Sequence, residues 1–268
     1  MKYTLLANGR RLAYRTAGRS KNAVPLVLLH GFCEDQQLWA PLLPGLKNTR
    51  LLTIDLPGFG GSDLPLAPGM DVYAEAVCAV LNERGIERCV LAGHSMGGYT
   101  ALAFAQHFPE RLSGLGLIHS HPFADDQSRK ENRRRGIELL QAGKKDAYVA
   151  QLFPGLFAPA FAQQHPGIVE AVIARGRRQP AAGIIAALEG MMDRPDRSHV
   201  LSTLQCPLLM FLGEQDSIIT PADTLRTALS ADVADVHVLP GLGHMGMYEA
   251  GDSLAGALLR FWQFCSNR

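Results

Sequence analysis

Continuous runs of hydrophobic residues recur along the chain, and runs without alternating polar positions predict strands that are covered on both faces. The runs are Pro25–Leu29, Leu51–Ile54, Cys89–Ala92, Leu115–Ile118, Leu208–Leu212 and, more weakly, Val236–Leu239. Two earlier segments with alternating polarity, Tyr3–Leu6 and Arg11–Thr16, flank Asn8-Gly9. Because Asn-Gly between such segments is a strong signal for a two-residue turn, these segments are predicted to form a β-hairpin.

Between the hydrophobic runs, apolar residues recur at the spacing of a helix. The predicted helices are Val72–Leu81 with Asp71 as N-cap and Gly85 as its end, Met96–Phe108 ended by Pro109, and Ser253–Cys265 capped by Asp252 or Ser253. Strands that alternate with helices are typical of a parallel sheet with helices on both faces. The pattern therefore predicts an α/β fold with a mostly parallel central sheet.

This alternation stops between His121 and Val200, where no clear strand is present. Four prolines divide the stretch into several predicted helices: Pro154, Pro159, Pro166 and Pro180. Open α/β sheets bind ligands outside the carboxyl ends of their strands. We therefore predict that residues 1–120 and 201–268 form the core, and that residues 121–200 form an inserted helical cap, or lid, over that edge of the sheet.

Composition and charge narrow the class of protein. Of the 268 residues, 47% are hydrophobic and 19% are charged, which excludes a disordered chain. The formal net charge of +1 gives no electrostatic footprint for nucleic acid, and no apolar run reaches the roughly 18 residues of a membrane span. The first residues lack the apolar region of a signal peptide, so a cytoplasmic location without nucleic-acid or membrane partners is expected.

The near-zero net charge conceals an uneven distribution. Residues 121–200 hold 12 Lys and Arg against 9 Asp and Glu, so their charge is +3 while the remainder is −2. Arg133, Arg134 and Arg135 form a basic run within this stretch. Binding of an acidic partner is one interpretation of the run, and a solvated helix face is the favoured one.

The cysteines indicate neither a disulfide framework nor a zinc site, because they are odd in number and lack C-x-x-C spacing. They are Cys33, Cys78, Cys89, Cys206 and Cys265. Four of them stand in apolar contexts that are typical of small buried side chains. For Cys33, which follows the motif His30-Gly31-Phe32, a reactive thiol is the less favoured interpretation. No cofactor or metal is predicted.

The segment Gly93-His94-Ser95-Met96-Gly97 matches G-x-S-x-G, in which a serine lies at a sharp turn between a strand and a helix. The pentapeptide alone is a weak signal in a chain with 27 glycines. Its position between a hydrophobic run and a predicted helix strengthens it. Such a turn projects the serine at the edge of the sheet, and its glycines allow close backbone approach, so Ser95 is the predicted nucleophile.

A serine nucleophile needs a base, and the base needs an acid that orients it. His244 stands in a glycine-rich loop after the last predicted strand, and Asp216 follows the strand before it. The chain order is therefore Ser95, Asp216, His244, with each residue after a strand. A rival acid would follow the run that ends at Ile118, at Asp125 or Asp126, but Asp216 is preferred.

An oxyanion on the substrate would need backbone N–H donors. Met96 begins a predicted helix whose dipole favours an anion, and Phe32 follows a strand that should lie beside the serine, so their amides are the predicted oxyanion hole. His30 is expected to orient the Phe32 loop or to contact substrate. His119 and His121 end a strand near the predicted cleft, where they either contact substrate or are satisfied by local hydrogen bonds. A metal bound by this pair is disfavoured because no third ligand is evident.

Together with Asp55-Leu56-Pro57-Gly58-Phe59-Gly60-Gly61-Ser62, these motifs resemble those of α/β-hydrolase-fold serine hydrolases with a helical cap. The resemblance covers nearly the whole chain and is strongest over residues 24–119 and 204–265. By position it implies that Ser95 is the nucleophile, His244 the general base and then acid, and Asp216 the acid that orients it. It also implies that the Phe32 and Met96 amides form the oxyanion hole and that Asp55–Ser62 is a structural turn.

The resemblance implies a carboxylic-ester hydrolase that acts on a small, partly apolar ester or ketone substrate, as a monomer or homodimer. Six apolar residues of the predicted cap favour a partly apolar pocket: Phe153, Phe157, Phe161, Ile184, Ile185 and Met191. One alternative is a carbon–carbon bond hydrolase or lyase with the same triad, as in meta-cleavage-product hydrolases or the lyase that makes a menaquinone precursor. Another is a ligand receptor that retains the triad.

Overall fold

The computed structural model describes residues 2–6, 9–20 and 23–267, and its centre is an eight-stranded sheet. The strands are β1 (Lys2–Leu5), β2 (Arg11–Ala17), β3 (Leu26–Leu29), β4 (Leu51–Ile54), β5 (Cys89–His94), β6 (Leu112–Ile118), β7 (Leu208–Gly213) and β8 (Ala234–Leu239). Every predicted run lies in a strand, except that Pro25 precedes the start of β3. The start of β6, three residues before the predicted run, is missed because Ser113 and Gly114 interrupt the hydrophobic pattern although both are buried.

The strand order is β1-β2-β4-β3-β5-β6-β7-β8, and β2 pairs antiparallel with both of its neighbours, β1 and β4. The remaining pairs are parallel, so β3 to β8 end at the same edge of the sheet. Every residue of β3 to β7 is buried, as expected of strands covered on both faces. The predicted α/β class, with a mostly parallel central sheet and helices, is confirmed.

The two strands predicted as a hairpin, β1 and β2, pair antiparallel. Gly9 has a φ of +80°, in the left-handed region that glycine tolerates without a steric penalty. Asn8, the other residue of the predicted turn, lies outside the described residues. Because β2 also pairs with β4, the hairpin extends the sheet on the side away from the candidate catalytic residues.

Eleven α-helices lie among the described residues, and none is both long and apolar enough to cross a membrane. They are α1 (Met70–Glu83), α2 (Met96–His107), α3 (Gln127–Gln141), α4 (Lys145–Leu152), α5 (Pro159–Gln164), α6 (Pro166–Arg177), α7 (Ala181–Met192), α8 (Ser198–Ser202), α9 (Pro221–Ala228), α10 (Gly246–Glu249) and α11 (Gly251–Ser266). Three 3-10 helices accompany them: Gln36–Leu42, Pro109–Arg111 and Pro154–Leu156.

The predicted N-caps of α1 and α11 are wrong, because both helices begin earlier than their apolar periodicity indicates. Helix α1 begins at Met70, so Asp71 lies inside its first turn. Helix α11 begins at Gly251, which places Asp252 and Ser253 inside the helix. Acidic side chains in a first turn still interact favourably with the helix dipole, which explains why they resemble caps in sequence.

The stretch between β6 and β7 is helical. It contains α3 to α8, and none of its residues, all of which the structure describes, belongs to a strand. Pro159 and Pro166 occupy the first positions of α5 and α6. An N–H at the first position of a helix has no acceptor within the helix, so proline is tolerated there and these prolines begin helices. Helix α8 continues to Ser202, and the division into a core of residues 1–120 and 201–268 with a cap of residues 121–200 stays a prediction.

The parallel strands bring the candidate residues to one edge of the sheet. Phe32 follows β3, Ser95 follows β5, His119 follows β6, Asp216 follows β7 and His244 follows β8. These five strands, β3, β5, β6, β7 and β8, are consecutive neighbours in the sheet. Residues that are distant in the chain are therefore adjacent at the carboxyl edge.

Candidate active site

Ser95 lies in a strained turn between β5 and α2. Its φ of +50° and ψ of −113° form a combination that side-chain-bearing residues rarely adopt. The Ser95 backbone N–H donates to the Ile118 carbonyl at 2.9 Å, and the Ser95 carbonyl accepts from the Ser120 hydroxyl at 2.9 Å. Both bonds tie the turn to the end of β6, so the neighbouring strand holds the serine in this conformation.

Glycines on both sides of Ser95 permit this turn. A Cβ atom on Gly97 would lie 2.5 Å from the Leu29 carbonyl oxygen and 2.6 Å from the His30 carbonyl oxygen. A Cβ atom on Gly93 would overlap the backbone of Gly97. Helix α2 can therefore begin directly against β3 and β5 only because these positions lack side chains.

Backbone strain marks the same edge of the sheet independently of the motif. Three non-glycine residues among those described have a positive φ: Cys33 at +62°, Ser95 at +50° and His119 at +48°. They follow β3, β5 and β6, which are neighbours in the sheet. Strained conformations of this kind persist only where the surrounding structure enforces them, and they cluster at functional sites.

Asp216 and His244 form a buried hydrogen-bonded pair. The His244 Nδ1 atom lies 2.8 Å from Asp216 Oδ2, and Asp216 Oδ1 accepts the backbone N–H groups of Ile218 and Ile219, each at 2.9 Å. Burial alone would raise the pKa of Asp216, but the adjacent His244 and the hydrogen bonds to the carboxylate hold that pKa well below its usual range. Burial lowers the pKa of a histidine, yet the Asp216 carboxylate outweighs burial and raises the pKa of His244.

His119 is a second histidine on the same carboxylate. Its Nδ1 atom lies 2.9 Å from Asp216 Oδ2, the oxygen that also faces His244. The His119 side chain is fully buried, and it is absent from the residues that line the cavity at Ser95. Burial lowers the pKa of His119 to about 4, so its ring is neutral and donates one N–H to Asp216. This buried contact with Asp216 favours local hydrogen bonds over substrate contact, the two alternatives for His119.

Neither rival acid reaches this group. Asp125 is buried between the guanidinium groups of Arg133 and Arg194. Asp126 caps α3 by accepting the backbone N–H of Arg129 at 2.8 Å. Asp216 is the acid beside His244, in agreement with the order inferred from the strands. The catalytic roles of Ser95, Asp216 and His244 stay predictions.

The loop that carries His244 is anchored by Glu249, a residue that sequence reasoning missed. The Glu249 carboxylate accepts the backbone N–H groups of Gly243 at 2.9 Å and Met245 at 3.0 Å, on either side of the histidine. It also accepts the N–H of Ala158, and the His244 N–H donates to the Leu156 carbonyl at 2.7 Å. The base loop is therefore fastened to the helical stretch above the sheet.

The loop after β3 presents the predicted oxyanion amides. Among the residues that the structure describes, the backbone N–H groups of Phe32 and Met96 donate to no protein acceptor. The loop is held by Glu34, whose Oε2 atom accepts the Gly31 N–H at 2.9 Å. N–H groups without protein acceptors are what an oxyanion requires. The assignment of these amides as an oxyanion hole stays a prediction.

Glu34 and His94 form a second buried acid–histidine pair beneath the first, and sequence reasoning did not find it. His94 Nδ1 lies 3.2 Å from Glu34 Oε2, and His94 Nε2 lies 3.0 Å from the His244 carbonyl oxygen. Burial would raise the pKa of Glu34, but His94 outweighs it and lowers that pKa. His94 thus connects the oxyanion loop to the base loop. The position of His94 within G-x-S-x-G, next to the serine, was the one sequence signal that could have indicated this role.

His30 orients its loop and has no ring nitrogen left for a substrate. Its Nε2 atom accepts the Leu56 N–H at 2.8 Å, and its Nδ1 atom donates to the Gly31 carbonyl at 2.8 Å. The side chain is fully buried, which favours the loop-orienting role of His30 over substrate contact. Asp55, in the segment predicted as a structural turn, is also fully buried and accepts the N–H of Gly61 at 2.9 Å.

His121 faces basic groups, away from the acid. Its Nε2 atom lies 2.7 Å from Arg129 Nη1, and its Nδ1 atom lies 3.1 Å from the Phe123 backbone nitrogen. Burial, followed by the charges of Arg194 and Arg129, lowers the pKa of His121 to about 4. The ring is fully buried and does not line the cavity at Ser95, so direct substrate contact is not supported.

A cavity of about 370 Å³ is lined by Ser95 and His244 and lies between the sheet edge and the helical stretch. Its sheet-side lining includes Phe32, Ser95 and His244. The helices contribute Arg129, Asn132, Arg133, Tyr148, Leu152, Leu188 and Met191. Of the six apolar residues predicted to form the pocket, Met191 is the one that lines it, because the others pack against neighbouring hydrophobic side chains.

The sequence offered no third ligand for a metal beside His119 and His121, but the structure groups His119 with Asp216 and His244. One donor atom of each lies within 4.8 Å of the others. Both Nδ1 atoms face the same carboxylate oxygen at hydrogen-bond distance, so an ion bound between these atoms would have to displace both hydrogen bonds. The chemistry of this donor set fits a hydrogen-bonded cluster better than a metal centre.

Cys33 lies beside the site without the properties of a reactive thiol. The side chain is fully buried, and burial together with the charge of Glu34 raises its pKa far above the ordinary value for a thiol. The favoured interpretation, a small buried side chain, agrees with this environment.

Comparison with known proteins places this geometry in a family. The model of the alpha/beta hydrolase family matches residues 26–257, so the chain belongs to that family. It is 30% identical to the 2-hydroxy-6-oxononadienedioate/2-hydroxy-6-oxononatrienedioate hydrolase of Burkholderia vietnamiensis over 94% of this chain and 90% of that one. It is 27% identical to the 2-succinyl-6-hydroxy-2,4-cyclohexadiene-1-carboxylate synthase of Escherichia coli, over 94% and 100%.

Among solved structures, a thermophilic esterase from Thermogutta terrifontis, crystallised with malate bound, superposes with a TM-score of 0.92. The two are 29% identical, and the match covers 99% of this chain and 100% of that one. These relatives confirm the predicted α/β-hydrolase membership and the prediction that the chain is an enzyme, a hydrolase of this family.

Proposed function

We propose that this enzyme hydrolyses a carboxylic ester of a small substrate through an acyl-enzyme on Ser95. The observation that carries the proposal is one cavity lined by Ser95, by Phe32 and by His244, whose Nδ1 atom faces Asp216. This constellation suits acyl transfer, because it supplies a nucleophile, a base of fixed tautomer and donors for an oxyanion. Likeness to the Thermogutta terrifontis esterase supports the ester as the bond that is cleaved.

In the proposed mechanism, Asp216 occupies Nδ1 of His244, which leaves Nε2 to take the Ser95 proton. Ser95 Oγ attacks the ester carbonyl, and the oxyanion accepts hydrogen bonds from the Phe32 and Met96 N–H groups. His244 then donates its proton to the departing alcohol. A water molecule, deprotonated by the same nitrogen, attacks the acyl-enzyme and releases the carboxylic acid.

Fluorophosphonate labelling followed by peptide mapping tests the nucleophile. We expect modification of Ser95 in the wild type and none in Ser95→Ala, with Ser202→Ala, an exposed serine of α8, as the matched control. Turnover of p-nitrophenyl esters should fall about 10⁴- to 10⁶-fold in Ser95→Ala and about 10⁴-fold in Asp216→Asn. Labelling of another residue, or full turnover by folded Ser95→Ala, would refute the proposal.

Carbon–carbon bond hydrolysis is the second candidate, favoured by the 30% identity to the Burkholderia vietnamiensis hydrolase. The same serine, histidine and oxyanion donors would serve an attack on a ketone, with a carbanion as the leaving group. Parallel assays of an acyl-length series of p-nitrophenyl esters and of a vinylogous 1,5-diketone separate the two. A kcat/KM for the diketone that exceeds that for every ester would replace the ester proposal.

We further propose that α3 to α8 act as the cap that shapes the substrate cavity, since most of the cavity's non-catalytic lining comes from them. A cytoplasmic location and a monomeric or homodimeric state complete the proposal. Cell fractionation and size-exclusion chromatography with light scattering test these two points. Recovery in a membrane or extracellular fraction, or a mass above that of a dimer, would contradict them.

A further inference from the structure

The wall of the cavity formed by the helical stretch holds more positive than negative charge. The guanidinium groups of Arg133 and Arg194 pair with one carboxylate, that of Asp125, and a third guanidinium, that of Arg129, contacts His121. Arg129 and Arg133 line the cavity together with Ser95. A single carboxylate can neutralise only one of the three, so this part of the cavity retains positive charge.

Arg133 and Arg194 share Asp125, which is fully buried. Arg133 contacts both carboxylate oxygens of Asp125, and Arg194 Nη1 donates to Oδ1 at 2.7 Å. Arg194 also donates to the Met191 carbonyl at 2.7 Å, and its guanidinium lies 3.9 Å from the centre of the Tyr99 ring. These two arginines are therefore engaged in structural contacts.

Arg129 has no carboxylate partner among the described residues. Its Nη1 atom lies 2.7 Å from His121 Nε2 and its Nη2 atom donates to the Ile218 carbonyl at 3.1 Å, which leaves at least three of its five N–H groups without a protein acceptor. The nearby acids are occupied: Asp126 caps α3, and Asp223 closes a capping box with Thr220. Arg129 is also only half-buried, so a ligand in the cavity can reach it.

The neighbouring histidine does not change this balance. Both ring nitrogens of His121 face N–H groups; a neutral ring can accept from one of them, and a protonated ring from neither. His121 is therefore neutral and adds no charge beside Arg129. On the opposite side, Glu34 is the one acidic residue among the described residues that line the cavity, and its Oε2 atom is paired with His94.

We propose that Arg129 binds a carboxylate on the substrate, so that the ester cleaved at Ser95 belongs to an anionic molecule. A guanidinium with free N–H groups at a partly apolar cavity matches a carboxylate in charge and in its two-pronged geometry. The cavity volume of about 370 Å³ requires the ester and the carboxylate to belong to one small molecule. This inference rests on the proposed ester hydrolysis at Ser95.

Two pairs of esters of similar size, one anionic and one neutral in each pair, test it. The acyl arm compares the p-nitrophenyl monoester of glutaric acid with p-nitrophenyl hexanoate, after subtraction of the enzyme-free rate. The alcohol arm compares 4-acetoxybenzoate with its methyl ester. Wild type, Arg129→Gln and Arg129→Lys are assayed, and Arg135→Gln, an exposed arginine of the same helix, is the matched control.

In at least one arm, Arg129→Gln should lower kcat/KM for the anionic ester about 10- to 100-fold and leave the neutral ester within about twofold. Arg129→Lys should lie between, because it keeps the charge and loses the two-pronged geometry. Added salt should slow the anionic ester selectively in the wild type, and Arg135→Gln should behave as wild type.

Equal responses of charged and neutral esters to Arg129→Gln in both arms would overturn the inference while leaving ester hydrolysis intact. Absence of turnover of every ester by wild type, together with absent labelling of Ser95, would instead refute the proposed function. Retained neutral-ester turnover in each variant shows that it is folded, so the two failures are distinguishable.

Discussion

Replacing His119 by alanine separates the role of the second histidine on Asp216 from that of the base. Asp216 has four hydrogen-bond donors: His244 Nδ1 at 2.8 Å, and His119 Nδ1, the Ile218 N–H and the Ile219 N–H at 2.9 Å each. His119→Ala removes one of them and leaves the other three. The carboxylate should therefore remain ionised and oriented toward His244, which distinguishes this variant from Asp216→Asn.

The expected magnitude follows from those contacts. One hydrogen bond to a charged group contributes about 1.5–3 kcal/mol, and loss of a fully buried ring leaves a cavity. His119 Nε2 has no partner among the described residues, so its removal offsets part of the cost. We expect the free energy of unfolding to fall by about 2–4 kcal/mol. We also expect kcat/KM to fall about 10-fold, against about 10⁴-fold for Asp216→Asn.

The pH dependence of kcat/KM for His119→Ala tests whether His119 acts on His244 through Asp216. Without the N–H of His119, Asp216 Oδ2 directs more of its charge to His244 and raises the pKa of the base further. Because the base must be neutral, the acidic limb of kcat/KM should move to higher pH by about half a unit.

The assays are urea denaturation and kcat/KM from pH 5 to 9, with His199→Ala, an exposed histidine of α8, as the control. An acidic limb that stays in place, or a loss above about 10³-fold by a folded variant, would refute the reasoning.

Two substitutions and one alkylation experiment test other contacts. Gly97→Ala should lower the free energy of unfolding by at least about 2 kcal/mol in urea titrations, because its Cβ would lie 2.5 Å from the Leu29 carbonyl oxygen. The control is Gly167→Ala, whose Cβ meets nothing within 4 Å and which should not be destabilising. His121 keeps a folded-state pKa of about 4 against 6.5 unfolded, so the unfolded state binds more protons in this window and stability rises with pH. His121→Gln should therefore reduce the rise in the free energy of unfolding between pH 4 and 6.5 by up to about 3 kcal/mol, as measured by urea titration at several pH values. An unchanged pH dependence of that free energy would refute the prediction. Native Cys33 should resist iodoacetamide at pH 8 and react after unfolding, as mass spectrometry would show; rapid native alkylation would contradict its burial.

The parts of the fold that sequence predicted best are those that backbone geometry dictates. Buried parallel strands read as hydrophobic runs, and the tight turn at Ser95 requires Gly93 and Gly97, so both leave local signals. Because parallel strands end at one edge, the order of strand ends was enough to place Asp216 and His244 together. Helix starts were less predictable, since Asp71 is as favourable in a first turn as at an N-cap.

The contacts that sequence could not predict join side chains far apart in the chain. His119 and Asp216 are separated by 97 residues, and nothing local to either position indicates that they share a hydrogen bond. The same holds for Glu34 and His94, which are 60 residues apart. Such pairs depend on which strands are neighbours and on rotamers, whereas hydrophobic periodicity reports only which face of an element is buried.

The basic stretch shows why counting charges does not locate a binding site. Its run of three arginines, Arg133 to Arg135, is typical of a solvated helix face, yet Arg133 turns inward to Asp125 and lines the cavity, while the other two are exposed. The charge available to a ligand belongs to Arg129, which stands outside that run. An arginine can attract an anion only to the extent that no carboxylate already neutralises it, so the pairing of each side chain, and not the composition of the segment, determines where an anionic substrate would bind.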